Sequence, residues 1–158
     1  MNRVVLRDIQ ERDLLLFFEH QKDPIANHMA AFTSKDPTDW QRFCEHWKRI
    51  LADESIINQT VMLENHVVGH ISSFEMFGER EVSYWIERAY WGKGIATDAL
   101  KQFMLLDTIR PLYARAAKDN MGSRRILEKC GFVINGEDSG FAHGRNMEVE
   151  EYIFTLQI

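Results

Sequence analysis

The sequence predicts a mixed α/β domain built on one sheet, and three observations predict it. Trp40, Phe43, Cys44, Trp47, Ile50 and Leu51 fall at i, i+3, i+4, i+7, i+10 and i+11, one face of an amphipathic helix. Between Thr60 and Ile86 three apolar runs alternate with polar residues, the first two joined by Glu64-Asn65-His66 in the manner of an antiparallel hairpin. From Tyr84 to Leu100 a strand passes through a loop with two glycines, Gly92 and Gly94, into the first turns of another amphipathic helix.

In chain order, Val4-Val5-Leu6-Arg7 opens as a short strand. Asp13 is the expected N-cap of a helix beginning Leu14-Leu15-Leu16-Phe17-Phe18 and stopping before Pro24. Residues 26–36 read as irregular, and Thr38 or Asp39 caps the helix that follows. Strands are expected at 60–63, 67–74 and 80–86. In the third, Val82, Tyr84 and Ile86 face one way and Glu81, Ser83 and Trp85 the other. The helix after the glycine loop packs through Ile95, Ala96, Ala99, Leu100, Phe103, Met104 and Leu106, and Pro111 ends the segment. Leu112 to Ala117 reads as a strand. Asp119 or Asn120 then caps a helix running to Lys129, with Gly131 as its breaker. Phe132-Val133-Ile134 and residues 148–156 close the order β-α-α-β-β-β-α-β-α-β-β. The expected organisation is one domain over residues 1–158.

Composition narrows the partners. At 158 residues, 45% hydrophobic and 27% charged, the chain has the make-up of a globular protein able to bury about two-thirds of its unfolded surface. The net charge of −5 argues against nucleic acid, which calls for a basic stripe, and suits an amine substrate. The start, Met1 to Asp8, is too short and charged for a signal peptide, and no apolar run approaches the roughly 18 residues of a membrane span. A cytoplasmic location is expected, with no membrane partner, and with Cys44 and Cys130 as buried reduced thiols. The six histidines show no ligand spacing, so no metal is expected.

The strand–loop–helix junction offers unpaired backbone N–H groups and the positive end of a helix dipole to one point, an arrangement suited to phosphate or pyrophosphate. Read alone it is either an anion cradle or a structural turn. No Gly-Lys-Ser/Thr makes it a Walker A loop, and Gly92-Lys93-Gly94-Ile95-Ala96-Thr97 lacks the third glycine of a Rossmann fingerprint. About 25 residues on stands a second motif, Asp119-Asn120-Met121-Gly122-Ser123-Arg124-Arg125-Ile126-Leu127-Glu128-Lys129-Cys130-Gly131-Phe132.

Together the two motifs resemble the GCN5-related N-acetyltransferase (GNAT) superfamily, in particular its RimJ/RimL-type branch. The superfamily loop is Arg/Gln-X-X-Gly-X-Gly/Ala. Here Gly94 and Ala96 match, and Trp91 stands at the Arg/Gln position, a replacement typical of that branch. The resemblance runs from about residue 3 to 156. It implies the GNAT acyl-CoA N-acyltransferase fold, a central, mostly antiparallel sheet with a splayed strand pair, flanked by helices. It also implies acetyl-CoA as co-substrate, lying in a V-shaped gap between the strand ending at Ile86 and the strand at 112–117. Backbone amides of Gly92, Lys93, Gly94, Ile95, Ala96 and Thr97 would hold its pyrophosphate. Main-chain groups of Trp85, Ile86 and Glu87 would meet the pantetheine arm. Asn120 would serve the pantetheine, the helix N-cap, or both. Lys93, Ser123 or Arg124 would reach the phosphates or adenine, or else Arg124 is a solvated helix charge.

Direct transfer of an acetyl group to an amine needs a base for the amine, a stabilised oxyanion and an acid for the thiolate, and no nucleophilic side chain. Glu81 is the candidate base. Many members carry a tyrosine acid in the second motif, but Ile126-Leu127-Glu128-Lys129 holds none, so the role passes to Ser123. The branch's carboxylate near the last hairpin has no match around Ser139-Gly140-Phe141. Acceptor contacts are expected from His28, Met29 and Phe32, from Phe74 and Phe77, and from the loop Phe141-Ala142-His143-Gly144-Arg145. The expected activity is acetylation of a primary amine, on a protein N-terminus or a small molecule, by a monomer or homodimer. A catalytically weak acyl-CoA-binding regulatory domain is the alternative.

Overall fold

The computed structural model describes residues 3–158; Met1 and Asn2, part of the N-terminal stretch read above, lie outside them. The elements are β1 Val4–Arg7, α1 Asp13–Gln21, α2 Pro24–Ala30, α3 Trp40–Ala52, β2 Ile57–Leu63, β3 His66–Met76, β4 Glu79–Ile86, α4 Ile95–Leu106, β5 Leu112–Ala117, α5 Met121–Lys129, β6 Val133–Ala142 and β7 Met147–Leu156. They build a seven-stranded sheet in the order β1-β2-β3-β4-β5-β7-β6. Every neighbouring pair is antiparallel except β4 and β5, which run parallel.

Alternation along β4 decides which helices lie on which face. Val82, Tyr84 and Ile86 join the main core with Ile95, Ala99, Leu100 and Phe103 of α4 and Leu127 of α5. Phe103, Leu100 and Phe154 are fully buried there, each contributing roughly 1.5–3 kcal/mol. The opposite face, carrying Glu81, Ser83 and Trp85, is covered at one end by α1 and α3. His70, paired with Trp85 across β3 and β4, packs its ring 4.7 Å from Phe17 and 5.1 Å from Trp47. Among the described residues no helix is long and apolar enough to cross a membrane.

Several local readings change. Asp13 is the first residue of α1 rather than its cap. Its buried carboxylate accepts from both terminal nitrogens of Arg7 (2.7 and 2.8 Å), from the Gln10 amide (2.9 Å) and from the Thr60 hydroxyl (2.8 Å), fastening α1 to β1 and β2. Residues 24–30, expected to be irregular in part, form α2. Asp23 caps it by accepting from the Ile25 amide, with Pro24 at the first helical position. The strand expected at 132–134 runs on to Ala142. Asn135 bulges out between Ile134↔Phe154 and Gly136↔Ile153, and the polar run that follows lies on the outer strand of the sheet, where solvent tolerates it. Leu106 is half exposed and contributes little to the packed side of α4.

Candidate functional site

β4 and β5 pair only at Arg80↔Leu112 and Glu81↔Tyr113. Each strand keeps its antiparallel partner beyond that point: β4 follows β3 to Ile86, and β5 follows β7 to Ala117. Two wings of one sheet therefore share two residue pairs and then splay. The gap they leave exposes backbone edge, where an extended ligand can add like a strand.

The loop after β4 closes one end of this gap. Gly92 (φ +73°) and Gly94 (φ +77°) both adopt left-handed backbone that L side chains rarely take. Gly94 is the N-cap residue of α4 and has no side chain to cap it, so the first-turn amides of Ile95, Ala96 and Thr97 face outward with the helix dipole behind them. A Cβ at either glycine would meet nothing within 4 Å, so the loop is open rather than packed. Lys93 stands beside it, its ammonium 5.7 Å from the Tyr90 ring. Contiguous residues thus build a candidate anion cradle.

Two main-chain groups expected to meet the pantetheine are otherwise engaged. The Ile86 carbonyl accepts from Trp91 Nε1 at 2.8 Å, and the Glu87 amide donates to the Val68 carbonyl at 2.8 Å. Trp91 thus props the loop against the end of β4. Trp85 turns its indole to the α1/α3 side, where its buried Nε1 has no partner, and in the register set by the Glu87–Val68 bond its main-chain groups face His70 on β3 rather than the gap.

Asn120 caps α5 by accepting from the Ser123 amide at 3.2 Å and donates to the Met29 carbonyl at 3.1 Å, joining α5 to α2 while leaving one N–H and one lone pair of its amide. Arg124 donates to the Lys118 carbonyl (2.9 Å) and lies 4.9 Å over the Tyr152 ring, which ties it to the end of β5. Ser123 shares a 2.7 Å hydrogen bond with the Tyr84 hydroxyl. Burial pushes that phenol up to about 12, so it stays protonated. Tyr84 was passed over as a strand residue. The signal available was a phenol on the apolar face of a core strand, where a hydroxyl needs a partner. Cys44 and the buried Cys130 are free thiols.

Glu81 sits at the last paired register, on the α1/α3 face, and is buried. Its Oε1 lies 3.1 Å from Arg115 Nε. Burial pushes the Glu81 carboxyl above the usual glutamate range; Arg115 works against that shift and Glu151 with it. Arg115 also holds Asp138 (3.0 Å) and Glu151 (2.8 Å) through Nη1. Over this cluster lies a cavity of about 290 Å³, walled by Met76, Phe77, Glu79, Tyr113, Asn135 and Ile153 together with Glu81 and Arg115. Phe74 is directly opposite Glu81 on β3. Arg115, Asp138 and Glu151 escaped the sequence reading, although a lone charge within Leu112-Tyr113-Ala114-Arg115-Ala116-Ala117 is the mark of a half-buried cation with partners.

The other expected acceptor segments come together, but with each other. The Gly144 amide donates to the Ala31 carbonyl (2.9 Å), and Arg145 donates to the His28 carbonyl (2.7 Å) and forks onto Asp119 (2.5 and 2.7 Å). Phe32 lies against Gly140. His28, Met29 and Phe32 therefore form a clasp between α2, the β6–β7 turn and the start of α5. None of them lines the cavity over Glu81.

Comparison with known proteins gives this arrangement a family. Residues 3–133 match the family model described as Acetyltransferase (GNAT) domain. A Bacillus subtilis protein described as "Putative ribosomal N-acetyltransferase YdaF" is 28% identical over 116 residues, 67% of this chain and 63% of that protein. The chain spans less than two thirds of the length of the curated relatives it matches. A crystal structure described as a "putative phosphinothricin N-acetyltransferase" superposes with a TM-score of 0.83 at 25% identity, covering 98% of both chains. Spermidine N-acetyltransferase from Vibrio cholerae, solved with CoA and spermine, shares the fold with a TM-score of 0.76 at 19% identity over 96% of this chain and 95% of its own.

Proposed function

Since the chain belongs to the GNAT acetyltransferase family, we propose that it transfers the acetyl group of acetyl-CoA directly to a primary amine. The observation that carries this reading is the splayed β4–β5 pair, with Glu81 at its last paired register and the open N-terminus of α4 at its far end. The cradle from Gly92 to Thr97 fits a pyrophosphate, because its donors are backbone amides that no side chain caps. The gap-facing edge of β4 offers the main-chain groups of Val82 and Tyr84 to the pantetheine arm, the alternate residues being turned toward β3. This orients the thioester toward Glu81 without any nucleophilic side chain.

Glu81 takes the proton of the amine, directly or through one water, as the new N–C bond forms. Its raised pKa makes it a stronger base than an exposed glutamate. When the C–S bond breaks, Ser123 gives its proton to the departing thiolate and Tyr84, hydrogen-bonded to it, replaces that proton; solvent then returns a proton to Tyr84 and takes the one held by Glu81. A protonated Tyr84 suits this second position.

Thiol release from acetyl-CoA over a panel of amines tests the proposal, alongside thermal shift with CoA, ATP and NAD. Stabilisation by CoA alone and turnover on at least one amine are expected. Stabilisation without turnover on any amine would instead make the chain an acyl-CoA-binding regulatory domain.

A further inference from the structure

We propose that the cavity over Glu81 and Arg115 takes a compact, cationic small-molecule amine that carries no carboxylate or phosphate, an alkyl or arylalkyl amine rather than an amino acid. This rests on the acetyltransferase reading above and adds the acceptor class. The first argument is charge. Arg115 is the one cation lining the cavity among the described residues, and Glu81, Asp138 and Glu151 already surround it through Nε and Nη1. Glu79 adds a second carboxylate to the lining beside Glu81, so two carboxylates line the cavity against one guanidinium whose charge is already paired with Asp138 and Glu151. An ammonium is drawn into that field, whereas an α-carboxylate beside the amine would enter against it.

The second argument is shape and polarity. Met76, Phe77, Tyr113 and Ile153 give the cavity an apolar wall. Phe77 is 84% exposed at the tip of the β3–β4 hairpin, where its φ of 53° is unusual for a bulky residue. Its ring lies 5.8 Å from the Arg115 guanidinium and is otherwise open, so it offers a hydrocarbon segment an apolar face at the edge of the charge cluster. The volume of about 290 Å³ lies at the small end of ligand pockets, room for one compact molecule and not for several residues of a polypeptide.

The test uses matched pairs of acceptors that differ only in the carboxylate: phenethylamine with phenylalanine, tyramine with tyrosine, putrescine with ornithine, cadaverine with lysine. Thiol release from acetyl-CoA by the full chain is followed, with a short peptide bearing a free N-terminus as a further arm. In each pair that reacts, the member lacking the carboxylate should show kcat/KM at least about tenfold higher. Glu79→Lys should raise KM for the amines severalfold, narrow the ratio within each pair and leave KM for acetyl-CoA unchanged. Equal or better turnover of the amino acids, or preference for the peptide, would overturn this proposal and leave the acetyltransferase reading standing. Acetyl-CoA binding without turnover of any acceptor would overturn both.

Discussion

The two ends of the β4–β5 gap are built in opposite ways. The proposed anion end is a run of neighbours, Gly92 to Thr97, whose fitness for that role resides in backbone geometry: two left-handed glycines and an uncapped helix start. The proposed acceptor end is assembled from side chains of five strands and a hairpin tip, brought together only by the sheet order. A locally encoded site presents the same groups whatever surrounds it, so it suits a cofactor that does not change. A site collected across strands can be altered one side chain at a time, which suits an acceptor that differs between relatives.

The sharpest way to break this comparison is at Glu81. Glu81→Gln should lower kcat by about 10²- to 10³-fold, the ordinary range for a lost general base, while KM for acetyl-CoA stays within about twofold. In the unsubstituted protein kcat/KM should rise with pH through the Glu81 pKa, which burial places above the usual glutamate range. That acid limb should vanish in the variant. A parallel loss of acetyl-CoA affinity in steady-state kinetics would show that the two ends are one site energetically.

The converse substitution is Gly94→Val. No neighbour opposes a Cβ there, so the effect comes from backbone: a β-branched residue at φ +77° costs about 1–2 kcal/mol or forces the loop to move. KM for acetyl-CoA should rise about 5- to 30-fold with the amine KM unchanged. Unaltered acetyl-CoA affinity in a folded variant would remove the cradle from its role.

The same contrast explains what could be read in advance. Helix and strand order, the β4 alternation and the glycine cradle are local patterns, and the family resemblance was carried by two contiguous motifs. α2 was missed because Asp23-Pro24 serves both as the stop of α1 and as the cap and first residue of α2. Most of β6 was missed because Asn135-Gly136-Glu137-Asp138-Ser139-Gly140 reads as turn, while an outer strand accepts such residues. Asp13 looked like a cap because the Arg7 and Thr60 that claim its carboxylate are placed by sheet register. Arg115 needed the β5–β7 pairing to meet Glu151, and Asn120 needed α2 to show that part of its amide joins α5 to Met29.

Between the wings, pH separates the β1–β4 side. Desolvation between Phe17 and Trp47 pushes His70 down to about 3, with His20 and His46 adding to the effect. Glu87 is the carboxylate that approaches from the strand end, 3.4 Å from His20 Nε2. The folded state therefore binds fewer protons than the unfolded chain below the unfolded histidine pKa of about 6.5, so stability is lost as pH falls from there toward 3. From pH 7 to 5 this amounts to roughly 2 kcal/mol for His70 alone. Melting temperature should drop over that interval, and His70→Leu should flatten the drop even if it lowers stability at pH 7. An unchanged slope would place the acid-sensitive group elsewhere.

Tyr84 links β4 to α5 and yields the smallest effect, which tests whether the acid side of the reaction is a chain of two groups. Tyr84→Phe removes one hydrogen bond and leaves the ring packed, so kcat should fall about fivefold with both KM values unchanged. Ser123→Ala should cost more, because the group nearer the thiolate is gone. The double variant decides the order. If Tyr84 acts only through Ser123, adding Tyr84→Phe to Ser123→Ala should change kcat no further, leaving a coupling as large as the single Tyr84 effect. Full additivity would mean that the phenol reaches the reaction by its own route or serves packing alone. The 2.7 Å bond would then be a structural tie between strand and helix.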